Sequence, residues 1–362
     1  MRRRKINLLI LSHPGSGYSM VKTSQLIEQC MKQFPGEIII LRPKSRISAK
    51  FPGIRFRKYV RYLELHIIFP FQLLNVRARF SINRIMIVDH SDAIHLYFFP
   101  PNKAITLVHD QFAYLAAKSL IPEIRIGVLG RMYQLAINRG LRRSGKLLAV
   151  SNFTRDLLIE LQFTQEISIL NLTWAPWPLT EPNSIEKIVT PRKYGVLVSP
   201  NSWRKDRPFA INVVNQLRMF PQLEDLELIV VGDDLVENEL SRLHSNDVNF
   251  IKFVQHVSSA NLKDLYKNAL FCIATSNYEG YGLPILEANA LGVMCLHNLL
   301  PSFMEISSDH NIVLKNSFQE NDWSEIASRV VNFTSSKDLA VQTEEKFGLE
   351  IFASRLKTEF FC

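Results

Sequence analysis

Ser276-Asn277-Tyr278-Glu279-Gly280-Tyr281-Gly282-Leu283-Pro284-Ile285-Leu286-Glu287-Ala288 follows directly on the apolar run Ala269–Thr275. The order is a strand end, a glycine turn and a helix, with Pro284 at the first helical position, where a missing N–H costs nothing. Gly292 is placed to close that helix. Gly280 and Gly282 let the backbone approach a ligand, and the helix start offers unpaired N–H groups with a partial positive charge, which suits a phosphate. Glu279 stands in the turn and Glu287 about one turn into the helix, so both carboxylates can face one bound molecule. Carboxylates accept hydrogen bonds from sugar hydroxyls, so a ligand with both phosphate and hydroxyl groups fits the pair.

Outward from this stretch, the same alternation repeats. Short β-branched runs occur at Ile6–Ser12, Glu37–Leu41, Arg84–Asp89, Ala104–Asp110, Lys146–Ser151 and Ile167–Leu172. Six more follow at Tyr194–Ser199, Leu226–Gly232, Val248–Val254, Ala269–Thr275, Val293–His297 and Asn311–Lys315. Most are apolar nearly throughout, as parallel strands covered on both faces must be. Ser19–Phe34, Phe153–Leu161 and Asn261–Asn268 carry apolar residues at helical spacing between them. The pattern predicts an α/β chain of two Rossmann-like, doubly wound domains facing a cleft. The proline-rich stretch from Trp174 to Pro191 suits a stiff connector. Domains are therefore expected at 1–178 and 179–344, with an amphipathic helix at about 345–362 packing back on the first.

Composition sets the outer limits. The chain has 362 residues, a net charge of +9 and 47% hydrophobic residues, enough for two cores. Four scattered cysteines with no CxxC spacing argue against a disulfide scaffold or zinc module and for a reducing compartment. No apolar run approaches a membrane span; Ile67–Phe71 and its neighbours come nearest. Arg2-Arg3-Arg4-Lys5 before Ile6–Leu11 imitates a signal peptide, but His13-Pro14-Gly15 ends the apolar run too early. The charge is uneven: residues 1–180 hold 26 Lys+Arg against 10 Asp+Glu, and the remainder 17 against 24. Two halves of opposite sign suggest different partners.

The stretch at 276–288 resembles the signature of the retaining glycosyltransferases of family four, also called glycosyl transferases group 1, which have the GT-B fold. The resemblance lies in the Glu-x7-Glu spacing of Glu279 and Glu287 around Gly-x-Gly-Leu-Pro. It extends through Val230-Val231-Gly232, Asn261–Tyr266, Pro301–Glu305 and Lys346–Ala353, covering nearly the whole second half. Gly292-Val293 departs from it, since relatives commonly carry proline after the glycine. The resemblance implies that Glu287 holds the ribose of a nucleotide-diphosphate sugar and that Glu279 contacts the transferred sugar. Gly280, Tyr281, Gly282 and Leu283 would meet the sugar and diphosphate through their amides.

A second element, Asn201-Ser202-Trp203-Arg204-Lys205-Asp206-Arg207, follows the run Tyr194–Ser199. Two adjacent cations at a strand's carboxyl end can neutralise a diphosphate leaving group without a metal. The resemblance maps that role onto Arg204 and Lys205; Ser199-Pro200 stands where many relatives have glycine–arginine. The first half matches more loosely. Leu107-Val108-His109-Asp110 resembles a strand end whose histidine approaches the transferred sugar, with His90 the weaker candidate. Gly15 and Gly17 form a loop that would approach donor phosphates or acceptor. A capped structural histidine and plain turn chemistry are the competing readings. Ser151 reads as a helix N-cap.

Asp233-Asp234 faintly imitates a metal motif, but acidic residues opening a helix explain it better. No cofactor or metal is expected; the donor would be a UDP-, GDP- or ADP-sugar. The implied function is transfer of a hexose to a glycan or lipid-linked acceptor in bacterial cell-surface polysaccharide or lipopolysaccharide synthesis. Between Arg42 and Arg61 lie eight cations and no acid, interleaved with Phe51, Phe56 and Tyr59. That suits an anionic membrane surface, a phosphate-bearing glycan or nucleic acid, or simply a solvated basic face. The resemblance favours the first, a cytoplasmic chain docked peripherally on the membrane face, and makes nucleic acid the unlikely partner. Two other functions fit the same residues: a nucleotide-sugar epimerase on this fold, and a non-catalytic basic binding protein.

Overall fold

The computed structural model describes residues 3–14, 17–44, 60, 63–174, 193–202, 204–244, 248–255 and 257–361. Gly15, most of the basic tract 42–61 and the proline-rich join at 175–192 lie outside the described residues. Two compact units divide the chain: Met1–Leu172 with Phe352–Cys362, and Thr173–Ile351. The division falls six residues before the expected boundary at 178.

The first unit is built on a parallel sheet of β1 (Lys5–Ile10), β2 (Ile38–Leu41), β3 (Ser81–Ile87), β4 (Ala104–Val108), β5 (Lys146–Ala149) and β6 (Glu166–Ile169). Their order is β2-β1-β3-β4-β5-β6. Ile6, Leu8 and Ile10 of β1 enter one core cluster with Ile85, Ile87 and Leu147, while Leu9 and Met86 are buried as well. A strand covered on both faces shows this continuous apolar run. β3 starts at Ser81 rather than at Arg84. Polar Ser81 and Asn83 hide the strand in the sequence, yet Ser81 pairs with Lys5, and Asn83 Nδ2 donates to Asn7 Oδ1 at 3.3 Å.

Helices α1 (Tyr18–Lys32), α2 (Phe69–Arg79), α3 (Phe112–Ala117), α4 (Val128–Leu141) and α5 (Asn152–Glu160) flank this sheet. A π-helical turn at Glu64–Ile68 leads directly into α2, and a 3-10 stretch covers His90–Phe98. The apolar run at Ile67–Phe71 is thus helical, and no helix among the described residues is long and apolar enough to cross a membrane.

The second unit has β7 (Tyr194–Val198), β8 (Glu227–Val231), β9 (Ile251–Val254), β10 (Phe271–Ala274), β11 (Cys295–Asn298) and β12 (Ile312–Leu314), in the order β12-β11-β10-β7-β8-β9. Its helices are α6 (Arg207–Leu217), α7 (Glu237–Leu240), α8 (Ser259–Lys267), α9 (Leu283–Ala290), α10 (Pro301–Met304), α11 (Trp323–Asn332) and α12 (Lys337–Phe347). The last helix, α13 (Leu349–Phe361), starts in this unit, and its residues from Phe352 onward belong to the first. There Phe352, Leu356 and Phe360 are buried. Lys146 Nζ lies 2.6 Å from Glu359 Oε2, and Arg355 Nη1 donates to Asn171 Oδ1 at 3.0 Å.

Each sheet winds outward in both directions from one adjacent pair, β1 and β3 in the first unit and β7 and β10 in the second. Ligands of such sheets bind beyond the carboxyl ends of the strands at this switch point.

Candidate active site

In the second unit, the loops leaving β7 and β10 are bonded to each other. The Asp206 N–H donates to Thr275 O at 2.7 Å, Thr275 Oγ1 donates to Asp206 O at 2.8 Å, and the Asn277 N–H donates to Arg204 O at 2.8 Å. Lys205 and Ser276 form an antiparallel bridge between them. Two elements 69 or more residues apart in the chain are therefore fixed at one switch point, and the expected second-unit site residues come together there.

Lys205 Nζ lies 2.5 Å from Glu279 Oε2, and Arg204 Nη1 lies 3.8 Å from Oε1. Ser276 Oγ donates to Oε2 at 3.3 Å, and Ser302 Oγ holds the Glu279 carbonyl at 2.7 Å. Burial pushes the Glu279 carboxyl up, but Lys205 and Arg204 together outweigh it and hold the group below the usual carboxylate range. The residue is therefore an anion clamped between two cations, and each cation is partly neutralised in turn.

Gly282 is the N-cap of α9, with φ at +114°. A Cβ there would lie 2.8 Å from Phe303 Cδ1 and 2.9 Å from Cε1, so both backbone and space require glycine. The helix starts at Leu283, which places Pro284 in the second position rather than the first. Pro284 still lies within the first turn, where its missing N–H has no intrahelical partner to lose. Gly292, at φ +75°, follows the helix as expected, and the Val293 N–H donates to Ala288 O at 3.0 Å. Gly280 and Tyr281 are buried in the turn, and Leu283 is half-buried at the helix start.

Glu287 sits on α9 and is only 7% exposed. Tyr266 Oη, from α8, donates to its Oε2 at 3.2 Å. Burial, reinforced by the Glu287 carboxylate, pushes the Tyr266 phenol well above its ordinary value, so it stays a proton donor. The two glutamates thus differ in setting: Glu279 faces cations, and Glu287 faces a phenol.

Arg207 and Glu239 escape the sequence analysis. Arg207 opens α6 and is 1% exposed. Its Nε donates to Glu239 Oε1 at 2.7 Å, Nη2 reaches Glu239 Oε2, and Nη1 and Nη2 donate to the carbonyls of Asp233 and Asp234 at 2.5 and 3.2 Å. Arg242 Nη2 adds a 2.7 Å bond to Asp206 Oδ1. These bonds tie the loop after β8 to the residues next to Lys205. Asp233-Asp234 do not open a helix; α7 begins at Glu237. One signal was available: a cation at a helix start opposes the helix dipole and needs a specific anion.

Among the described residues, no group of three or more His, Cys, Asp or Glu side chains is placed to hold a metal ion.

In the first unit, His109 follows β4 and its Nε2 lies 2.9 Å from Val88 O. Burial pushes its pKa down, more than Asp89 raises it, so the neutral ring donates Nε2–H to that carbonyl. His90, after β3, has its ring centroid 6.4 Å from that of His109, and its buried Nδ1 has no hydrogen-bond partner. His13, buried after β1, completes a row of histidines at the carboxyl ends of three neighbouring strands. Gly17 caps α1 with an extended backbone, and a Cβ there would meet nothing within 4 Å. Nothing inside the described chain requires glycine at that position. Ser151 does cap α5, its side chain accepting from the Thr154 N–H at 3.0 Å.

Comparison with known proteins agrees with this layout. The chain has the GT-B fold of two Rossmann-like domains. Over 99% of its length it superposes on 98% of sucrose-phosphate synthase from Thermosynechococcus elongatus, with a TM-score of 0.66 and 14% identity. Residues 185–347 match the family model described as glycosyl transferases group 1. The chain is 32% identical over 91 residues to O-antigen chain mannosyltransferase B of Escherichia coli, covering 22% of this chain and 24% of that protein. It is 28% identical over 129 residues to an uncharacterized glycosyltransferase of Sulfolobus islandicus rod-shaped virus 1, covering 34% of this chain and 37% of that one. The matched segments thus span 24% to 37% of the length of these curated relatives.

Proposed function

We propose that this chain is a retaining glycosyltransferase that moves a hexose from a nucleotide-diphosphate sugar to a hydroxyl of a glycan or lipid-linked acceptor. The observation that carries the reading is the clamp at the β7–β10 switch point, where Arg204 and Lys205 are held against Glu279 beside the start of α9. A diphosphate entering there meets two cations and the N–H groups at Gly282 and Leu283. These offset the charge that grows on the departing phosphate, with no metal in the scheme. Glu279, kept ionised by the same cations, accepts hydroxyl hydrogen bonds from the sugar and orients it. Glu287, held by Tyr266, accepts from the ribose. The reaction retains configuration by same-face departure and attack, with positioning and charge stabilisation doing the catalysis. The resemblance to the O-antigen mannosyltransferase supports an acceptor in cell-surface polysaccharide or lipopolysaccharide synthesis.

A thermal-shift series with UDP-, GDP- and ADP-sugars tests the donor assignment. One class should stabilise the protein by about 2.7 kcal/mol at a hundredfold excess over its Kd. Stabilisation by none of them removes the reading. Conversion of the stabilising donor without acceptor identifies an epimerase instead.

A further inference from the structure

Arg207 is an unfavourable residue for its position. At the first position of α6 its charge stands against the positive end of the helix dipole, and its side chain is fully withdrawn from water. A well-packed apolar side chain of similar volume would avoid both costs. Instead the guanidinium holds the segment after β8, through both oxygens of the Glu239 carboxylate and the carbonyls of Asp233 and Asp234. Glu239 is fixed in turn, since its Oε2 accepts from the Val236 N–H at 3.1 Å. Only a planar fork of donors can serve these acceptors together, which a lysine ammonium cannot do.

Strand order decides what the fork holds in place. β7 lies between β10 and β8. On the β10 side, the loop leaving β7 is bonded to Thr275, Ser276 and Asn277. On the β8 side it is held by Arg207, and by Arg242 through Asp206. Lys205 stands between the two grips. Its carbonyl accepts from the Arg207 N–H at 2.6 Å, and its Nζ reaches Glu279. An ammonium on a flexible stem is only as well placed as the backbone that carries it. Misplacing a reacting group by about 1 Å costs on the order of 10²-fold in rate. We propose that Arg207 is a positioning residue, which sets where Lys205 meets the departing diphosphate by locking the loop after β7 to the loop after β8. This inference rests on the reading of the β7–β10 switch point as the donor site, and it assigns part of the rate to a side chain that touches no substrate.

The test follows nucleoside diphosphate release by the full chain from whichever UDP-, GDP- or ADP-sugar stabilises it. Arg207→Met with Glu239→Leu removes both charges, so no buried charge is left unpaired and the melting temperature should stay near that of the wild type. Its kcat should fall about 10- to 100-fold, while the donor Kd, set by Glu287 and the start of α9, changes by less than about twofold. Arg207→Lys keeps the charge without the fork and should show a smaller fall of the same kind; it carries the test if the double variant does not fold. The deciding measurement repeats both changes in a Lys205→Ala background. There kcat should fall no further, by less than about twofold, because no ammonium remains to be placed. A residue that merely stabilises the unit would lower both backgrounds alike. Equal losses in the two backgrounds overturn the proposal, as does an unchanged kcat in the Arg207 variants. A wild type that no donor stabilises, and that releases no diphosphate, removes the donor-site reading itself.

Discussion

Lys205 and Glu279 show how one ion pair can prepare two roles. With 15% and 13% of their side chains exposed, the pair is largely withdrawn from water, so each partner needs the other. Lys205→Ala should lower kcat by about 10²–10³-fold, because a cation at the leaving group acts in the transition state. Glu287→Ala should instead raise the donor Kd about 10- to 100-fold, with Glu287→Gln as the shape-preserving control. Steady-state kinetics and donor titration separate the two, and equal effects on kcat and Kd in both variants would remove the assignment. A pH effect comes from the first unit. Burial, with His66 adding to it, pushes His95 down to about 3 from 6.5, and Asp92 lies 3.8 Å away. Between those values the unfolded chain binds a proton that the folded chain does not. Stability therefore falls as pH drops below about 6.5, by on the order of 1.4 kcal/mol per unit. His95→Gln should flatten that part of the acid unfolding profile by one proton.

The informative element is the β10–α9 corner. Its strand, turn and helix were legible because each step carries a local rule: an apolar run, glycine at the turn, proline in the first helical turn and glycine after the last. Gly282 combines a left-handed φ with contact to Phe303, so Gly282→Ala should destabilise the second unit by about 1–3 kcal/mol. It should also weaken donor binding, since the helix start would shift; calorimetry and donor titration measure both. The stretch from Glu64 through α2 was less legible. Its residues are apolar on both faces, and periodicity separates helix from strand only when one face is polar. Arg207 was hidden for a different reason: its partner Glu239 lies 32 residues away, beyond any local pattern.

At the level of the whole molecule, the last helix shows a long-range dependence. Leu356 is fully buried in the unit that holds residues 1–172. Leu356→Ala should destabilise that unit by about 2–5 kcal/mol. Two resolved calorimetric transitions, with only one shifted, would check the prediction; a shift of the other alone would contradict it. The twelve strands, their parallel pairing and the Glu279–Glu287 motif followed from the chain alone, because apolar runs, turn residues and helix ends are set by neighbours in sequence. The same was true of the positive excess in residues 1–180. Folding decided which residues meet. Lys205 reached Glu279 because β7 and β10 became neighbours, Tyr266 reached Glu287 across two helices, and Arg207 found Glu239. Contacts between distant segments depend on strand order and packing, which no local periodicity encodes.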